Sequence, residues 1–358
     1  MLWPLSLFLP SLRNNIDTKH PIRKALVIQT VGFGDHILST SLLETLHARF
    51  PELVTDVIIK NGNEPFFQGN PLVRNMWVWN KRERKYRDVL RLTRLVRAQQ
   101  YDLVVNVNRF FNMGLVAVLS GARIKVGYRS NPLSLFFDHT AHYLFSKADG
   151  SPMHEIERNH QLIEPLVQGK PERPRLYPSD EDLAAVSKYK QAPYICIAVA
   201  GAKLTNSLPL EQWVKFIKVL PEHYTVYLLG GERERPMCAW IKEAAGRDRV
   251  EVLASQLSLI ESPALMKDAV VNFTCDSSPL HMASAMNAPV VAVFCSTNLY
   301  NGFGPLSDQQ VVVETLQALD CRPCTTHGRD SCPRGHLACA TTITTAQLLE
   351  ALERIVGS

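Results

Sequence analysis

Asp276-Ser-Ser-Pro-Leu-His-Met-Ala-Ser-Ala-Met286 is preceded by the apolar run Val270-Val-Asn-Phe-Thr-Cys275 and followed by Pro289-Val-Val-Ala-Val-Phe294. Two short apolar runs around a polar turn and a compact amphipathic piece predict strand, turn, helix, strand, the repeating unit of a parallel α/β sheet. Ser277 and Ser278 suit a helix cap, and Pro279 suits the first helical turn. Such a helix start, at the carboxyl edge of a parallel sheet, presents backbone N–H groups where a phosphate can sit. An acid, two hydroxyls and an imidazole crowd into these six residues. The plain alternative is a capped helix with His281 facing the core.

Working outward, 358 residues exceed what one core usually serves, so two domains are expected, 1–175 and 176–358. A hydrophobic fraction of 46% with 20% charged residues fits a globular protein. The net charge of +5 weakly favours anionic partners and does not argue for nucleic acid. The first ten residues, Met1 to Pro10, are apolar but lack a basic leader and are too short to span a bilayer. This suggests a cytoplasmic protein with an apolar N-terminal segment against a membrane or a partner.

In the first half, Lys24-Ala-Leu-Val-Ile-Gln29 reads as a buried strand, followed by Thr30-Val-Gly-Phe-Gly-Asp35 and a helical pattern through Ile37, Leu38, Leu42, Leu43 and Leu46. Gly32 and Gly34 allow a tight turn and close approach of a ligand. The dinucleotide fingerprint fails, because position 37 is Ile37 and the next strand, Val54 to Ile59, does not end in an acid. Asp35 reads either as a helix N-cap or as a carboxylate able to take a proton from a hydroxyl. From Lys81 to Arg97, eight basic residues meet two acidic ones. Leu90, Leu92, Leu95 and Val96 are expected on the buried side of a helix, with Arg87, Arg91 and Arg94 on an exposed stripe. That stripe is either a solvated face or a surface for anionic membrane or a phosphorylated acceptor. Arg109 and Arg129 follow strand ends and are candidate phosphate or polyol ligands. A helix is expected from His154 to Leu166, and Gln168 to Arg175 reads as a linker.

The second half repeats the plan. Tyr194 to Val199 is a strand, Ala200-Gly-Ala-Lys-Leu-Thr-Asn-Ser207 a loop, and a helix starts at Pro209. Lys203, Thr205 and Asn206 lie where phosphate ligands lie in such folds, although the loop lacks a P-loop ending. After the strand Tyr224 to Leu229, Glu232 or Glu234 is placed either to take a ribose hydroxyl or simply to charge a helix start. Cys196, Cys238, Cys275 and Cys295 read as core residues. Cys321, Cys324, Cys332 and Cys339 are spaced C-x2-C-x7-C-x6-C, which suits a structural zinc or iron as well as free thiols or a disulfide. Residues Thr344 to Ile355 form an amphipathic closing helix.

Four of these pieces together resemble the ADP-heptose:lipopolysaccharide heptosyltransferases, glycosyltransferase family 9. They are Gly32-Phe-Gly-Asp-His-Ile-Leu-Ser-Thr40, Gly121 to Tyr128, Ala200-Gly-Ala202 and Asp276-Ser-Ser-Pro-Leu-His-Met-Ala283. The resemblance implies a GT-B fold, two Rossmann-like domains facing across a cleft. It also implies inverting transfer of heptose from ADP-heptose to a hydroxyl of the lipopolysaccharide core or a lipid A precursor, with no cofactor for catalysis. Asp35 would be the general base. Asp276, Ser277, Ser278 and His281 would bind the donor's pyrophosphate side, with help from Lys203 and Thr205. The implied location is the cytoplasm, peripheral on the inner face of the inner membrane. Two departures stand out. Ser278 replaces a usual glycine, and Asn206-Ser-Leu-Pro209 replaces a loop ending that carries a lysine. They keep open a related transferase with another donor or acceptor, and a non-catalytic binder of sugar nucleotides.

Overall fold

The structure is a computed structural model that describes residues 16, 20–81 and 85–357. The apolar segment Met1 to Pro10 and residues 82–84 of the basic run lie outside the described residues. Among the described residues, twelve strands form two six-stranded sheets, every pairing parallel.

The first sheet contains β1 (Lys24–Ile28), β2 (Val54–Lys60), β3 (Val73–Trp79), β4 (Leu103–Asn106), β5 (Ile124–Tyr128) and β6 (His139–Ala141), in the order 3-2-1-4-5-6. The second contains β7 (Tyr194–Ala198), β8 (Thr225–Leu229), β9 (Val250–Val252), β10 (Val271–Cys275), β11 (Val290–Phe294) and β12 (Gln310–Glu314), in the order 12-11-10-7-8-9. The central strands are buried on both faces, so they read as unbroken apolar runs rather than alternating ones. In each sheet the order reverses beside the strand that opens the unit, β1 or β7. A crevice at the carboxyl edge is expected at that point.

The helices are α1 (Phe33–Arg49), α2 (Lys85–Gln99), α3 (Phe111–Leu119), α4 (Glu155–His160), α5 (Asp180–Ser187), α6 (Leu210–Val219), α7 (Arg235–Ala245), α8 (Glu261–Met266), α9 (Ser278–Ala285), α10 (Ala338–Thr341) and α11 (Thr345–Val356). The closing helix α11 is capped by the Thr344 hydroxyl, which accepts from Gln347 N. In the second unit Trp213, Phe216 and Phe273 pack as a buried aromatic group, and Trp213 Nε1 donates to Val199 O at 3.0 Å. One apolar cluster runs from the first sheet through Ile37 and Leu42 of α1 to Leu280 and Ala283 of α9 and on to the second sheet. The two units therefore share packed surface rather than being joined by a linker alone.

Three expectations need correction. Leu90 is 57% exposed, not buried. The inward positions of α2 are Val89, Leu92 and Val96, and Leu90 lies a hundred degrees round from Val89, among the arginines. The helix after His154 stops at His160 and gives way to turns, so it is half the expected length. Finally, α1 begins at Phe33, with Gly32 as its N-cap, so Asp35 is an interior residue of the first turn rather than the cap.

Removing the indole from the second unit should be costly. Trp213→Ala is expected to lose about 3–5 kcal/mol in chemical denaturation, whereas Leu90→Ala should stay within about 0.5 kcal/mol of wild type.

Candidate active site

The carboxyl end of β1 turns through Gly32 into α1, and the first turn of that helix carries Asp35. Its Oδ2 accepts from Gly32 N at 3.1 Å. Burial raises the Asp35 carboxyl above the ordinary aspartate value; the Gly32 N–H bond and the nearby His327 and Arg109 charges oppose that rise. Arg109, at the end of β4, lies with its guanidinium 4.1 Å over the Tyr143 ring. The residue before Asp35 is where the two units touch. A Cβ at Gly34 would stand 2.7 Å from Cδ2 of His281, so the imidazole lies directly on the glycine backbone. His281 is buried, and burial pushes its pKa down to about 3, so the ring is neutral. Its enclosed Nδ1 has no hydrogen-bond partner among the described residues.

The facing loop follows β10. Asp276 Oδ2 accepts from Thr297 Oγ1 at 2.6 Å and from Asn206 Nδ2 at 3.2 Å, while burial raises its carboxyl. Ser277 is the N-cap residue of α9, but its hydroxyl does not cap the helix. It donates to Ala200 O at 3.1 Å, and α9 starts without a side-chain cap. Ser278 and Pro279 follow, half-buried. A helix N-terminus without its own acceptor is electrostatically disposed to take an anion.

Thr205 and Asn206 are buried and already engaged. Thr205 Oγ1 accepts from Ser296 Oγ at 2.9 Å and from Arg329 N at 2.8 Å; Asn206 Oδ1 accepts from Ser296 Oγ at 2.7 Å, and its Nδ2 also donates to His327 O at 3.3 Å. They tie the segment 325–330 to the end of β7 rather than offering free donors. Lys203 Nζ lies 2.9 and 3.0 Å from the two carboxylate oxygens of Asp330. Both side chains of this pair are well exposed, so it is worth at most about 1 kcal/mol.

The expected acid after β8 divides in two. Glu234 folds back, its carboxylate accepting from Gly231 N at 2.9 Å, while Glu232 is exposed with Arg235 4.0 Å away. Cys321, Cys324 and Cys332 line one cavity of about 260 Å³, and Cys321 Sγ is 4.0 Å from His336 Nε2. No group of three or more His, Cys, Asp or Glu among the described residues gathers its donors as a metal requires. The zinc or iron expected from Cys321, Cys324, Cys332 and Cys339 is therefore not supported by the donor geometry. Spacing puts thiols in one region but does not set the sulfur directions.

Sequence reasoning missed three contributors. His327 lies close enough to affect both Asp35 and Asp276 electrostatically, and its ring is 6.4 Å from that of Phe303. Its own stretch is dense in cysteines and carries no periodic signal that marks an imidazole as a site residue. Phe303 also neighbours His281, at 6.0 Å. The third is the buried pair Glu155–Arg158, 2.9 Å apart. Glu155 N donates to Gly302 O, and Arg158 Nη2 donates to Asn301 O at 2.8 Å. An i,i+3 pair on α4 thus clasps a loop of the second unit. Burial raises the Glu155 carboxyl, the Tyr143 hydroxyl and Arg158 oppose this, and the Asp35 charge adds to it.

Two parallel six-stranded α/β units that meet through α1 and α9 form a GT-B fold. The profile of glycosyltransferase family 9 (heptosyltransferase) matches residues 89–331, and the chain belongs to that family. Among curated relatives, lipopolysaccharide heptosyltransferase 3 of Escherichia coli strain K12 is 25% identical over 285 residues, covering 74% of this chain and 80% of that protein. Among solved structures, E. coli ADP-heptose lps heptosyltransferase II superposes with a TM-score of 0.74 at 21% identity, covering 93% of this chain and 98% of that one. A family 9 glycosyl transferase from Veillonella parvula gives 0.76 at 18% identity, covering 94% and 98%.

The clasp makes an asymmetric mutational prediction. Arg158→Met should cost about 3–5 kcal/mol by stranding a buried carboxylate. Combining it with Glu155→Leu should recover part of that loss in the same denaturation assay.

Proposed function

We propose that this chain transfers heptose from ADP-heptose to a hydroxyl of the lipopolysaccharide inner core, with inversion at the anomeric carbon. The observation that carries the reading is the meeting of the Asp35 turn and the Asp276 loop at one junction, α1 against α9. In this mechanism the ionised Asp35 carboxylate takes the acceptor's proton as its oxygen attacks from the face opposite the diphosphate. The new C–O bond forms, the bond to the diphosphate breaks, and its electron pair leaves with ADP. Backbone N–H groups at the start of α9 meet the charge that develops there. Closure around the reacting atoms would exclude water, whose attack on the donor is the competing reaction. No step is assigned to a metal.

Support for the acceptor side comes from a cavity of about 550 Å³ beside Gly32, with Lys60 and Lys81 among its lining residues and the exposed rings of Phe110 and Phe111 at its edge. Two ammonium groups beside aromatic surface suit an anionic saccharide carried on a lipid. Arg87, Arg91 and Arg94 with exposed Leu90 and Tyr86 on α2 support peripheral attachment to an anionic inner leaflet. Each basic residue near such a surface is worth about 1 kcal/mol.

Two experiments test this reading. With ADP-heptose and a heptose-bearing core acceptor, Asp35→Asn should lower kcat by about 10²–10⁴-fold and leave donor affinity within a few-fold. Because burial raises the Asp35 carboxyl, wild-type turnover should fall as pH drops through a value above the ordinary aspartate pKa of about 3.9. That acid limb should vanish from the residual activity of the variant; full turnover by Asp35→Asn would remove the mechanism. Separately, flotation with phosphatidylglycerol vesicles should weaken in added salt and in an Arg87→Glu, Arg91→Glu, Arg94→Glu variant. Equal flotation with purely zwitterionic vesicles would contradict the electrostatic attachment.

A further inference from the structure

The segment after the second cysteine of the tail has no need to visit the active site, yet the fold delivers it there. Asn206 Nδ2 donates both to Asp276 Oδ2 at 3.2 Å and to the carbonyl of His327 at 3.3 Å, so one buried amide sets the spacing of the two residues. Thr205 N donates to Arg329 O at 3.1 Å, and Arg329 N returns a bond to Thr205 Oγ1. Between them Gly328, at φ +75°, lies against the Asn206 side chain so closely that no Cβ could be accommodated. The His327 backbone is thus held on three sides while its side chain is left exposed. The ring neighbours Phe303, which neighbours His281, which lies on Gly34. An imidazole on a pinned backbone therefore stands where the two units meet, within electrostatic reach of one carboxylate from each.

Other candidates for an anion partner on this side are weaker. His281 is buried and neutral. The loop Ala200 to Ser207 holds a single basic residue, Lys203, and Asp330 engages it through both carboxylate oxygens. A diphosphate leaving group gains negative charge next to Asp276, where the α9 N–H groups also face it. It needs a donor that is exposed, positioned and uncommitted.

We propose that His327 supplies that donor, its ring N–H hydrogen-bonding a diphosphate oxygen of the nucleotide sugar and strengthening as the bond to the anomeric carbon breaks. This rests on the donor-binding reading above. No proton is transferred by His327: the acceptor's proton goes to Asp35 and the electron pair leaves on the diphosphate oxygen. Such a donor acts more on the transition state than on the bound ground state, so its loss should appear in kcat as well as in affinity.

The test compares His327→Ala, His327→Lys and Lys203→Ala for binding of ADP and of adenosine by calorimetry, and for turnover of ADP-heptose. His327→Ala is expected to raise the ADP Kd at least tenfold, to leave adenosine affinity unchanged, and to lower kcat by about 10²–10³-fold. His327→Lys should restore much of the ADP affinity, and Lys203→Ala should have the smaller effect. Unchanged ADP affinity in His327→Ala, an equal loss for adenosine, or a larger loss in Lys203→Ala would overturn the assignment. If wild type transfers heptose and His327→Ala does too at full rate, only this inference falls. If wild type binds neither ADP nor ADP-heptose, the donor reading falls with it.

Discussion

The contact between the His281 ring and the Gly34 backbone sets how near the two units come. A Cβ at position 34 would stand 2.7 Å from the buried His281 ring, so either the ring or the α1–α9 packing would have to shift. The contact works only with a neutral imidazole, because a charged one would have to be stripped of water with no partner for its enclosed Nδ1. Burial enforces that neutral state by pushing the ring's pKa down to about 3. The junction is therefore an apolar packing contact made by a residue type usually read as chemical.

Around that contact, buried polar groups do the positioning. Arg158 reaches Leu144 O, Asn301 O, Glu155 and the Tyr143 hydroxyl, and its guanidinium lies over the rings of Tyr143 and Phe145. Its bonds to both units hold the loop that carries Phe303 against α4. On the other side Asn206, Thr205 and Ser296 form a closed set of hydrogen bonds beneath Asp276 and His327. Removing a partner from either set would leave a desolvated group behind, which costs more than the bond itself gains. Both sets hold loops that would otherwise be free at the carboxyl edges of the sheets.

Much of the architecture was legible in the chain because buried parallel strands leave a strong mark. The apolar runs at β1, β2, β7, β8, β10 and β11, each followed by a glycine or a polar turn, appear where periodicity placed them. The edge strands β3, β6 and β12 were not read, since half-buried edges carry mixed residues and a weaker pattern. Leu90 was misassigned because a single leucine among arginines satisfies a helical template in two registers, and only packing against the sheet selects one. The thiol spacing suited a metal, but among the described residues the donors do not gather as one requires, because sulfur directions depend on loop conformation.

The sequence by itself determined the two-unit α/β class, the alternation of strand and helix, and the polar residues that fall at strand ends, because those follow from local periodicity and the stereochemistry of glycine and proline. Tertiary structure alone decided that Thr205 and Asn206 are committed to the fold and that His281 packs on Gly34. It also brought His327, about fifty residues beyond Asp276 in the chain, to the junction between two carboxylates. Those outcomes depend on which distant groups share one buried hydrogen bond or one van der Waals contact, and nothing in the residues immediately beside them along the chain encodes that.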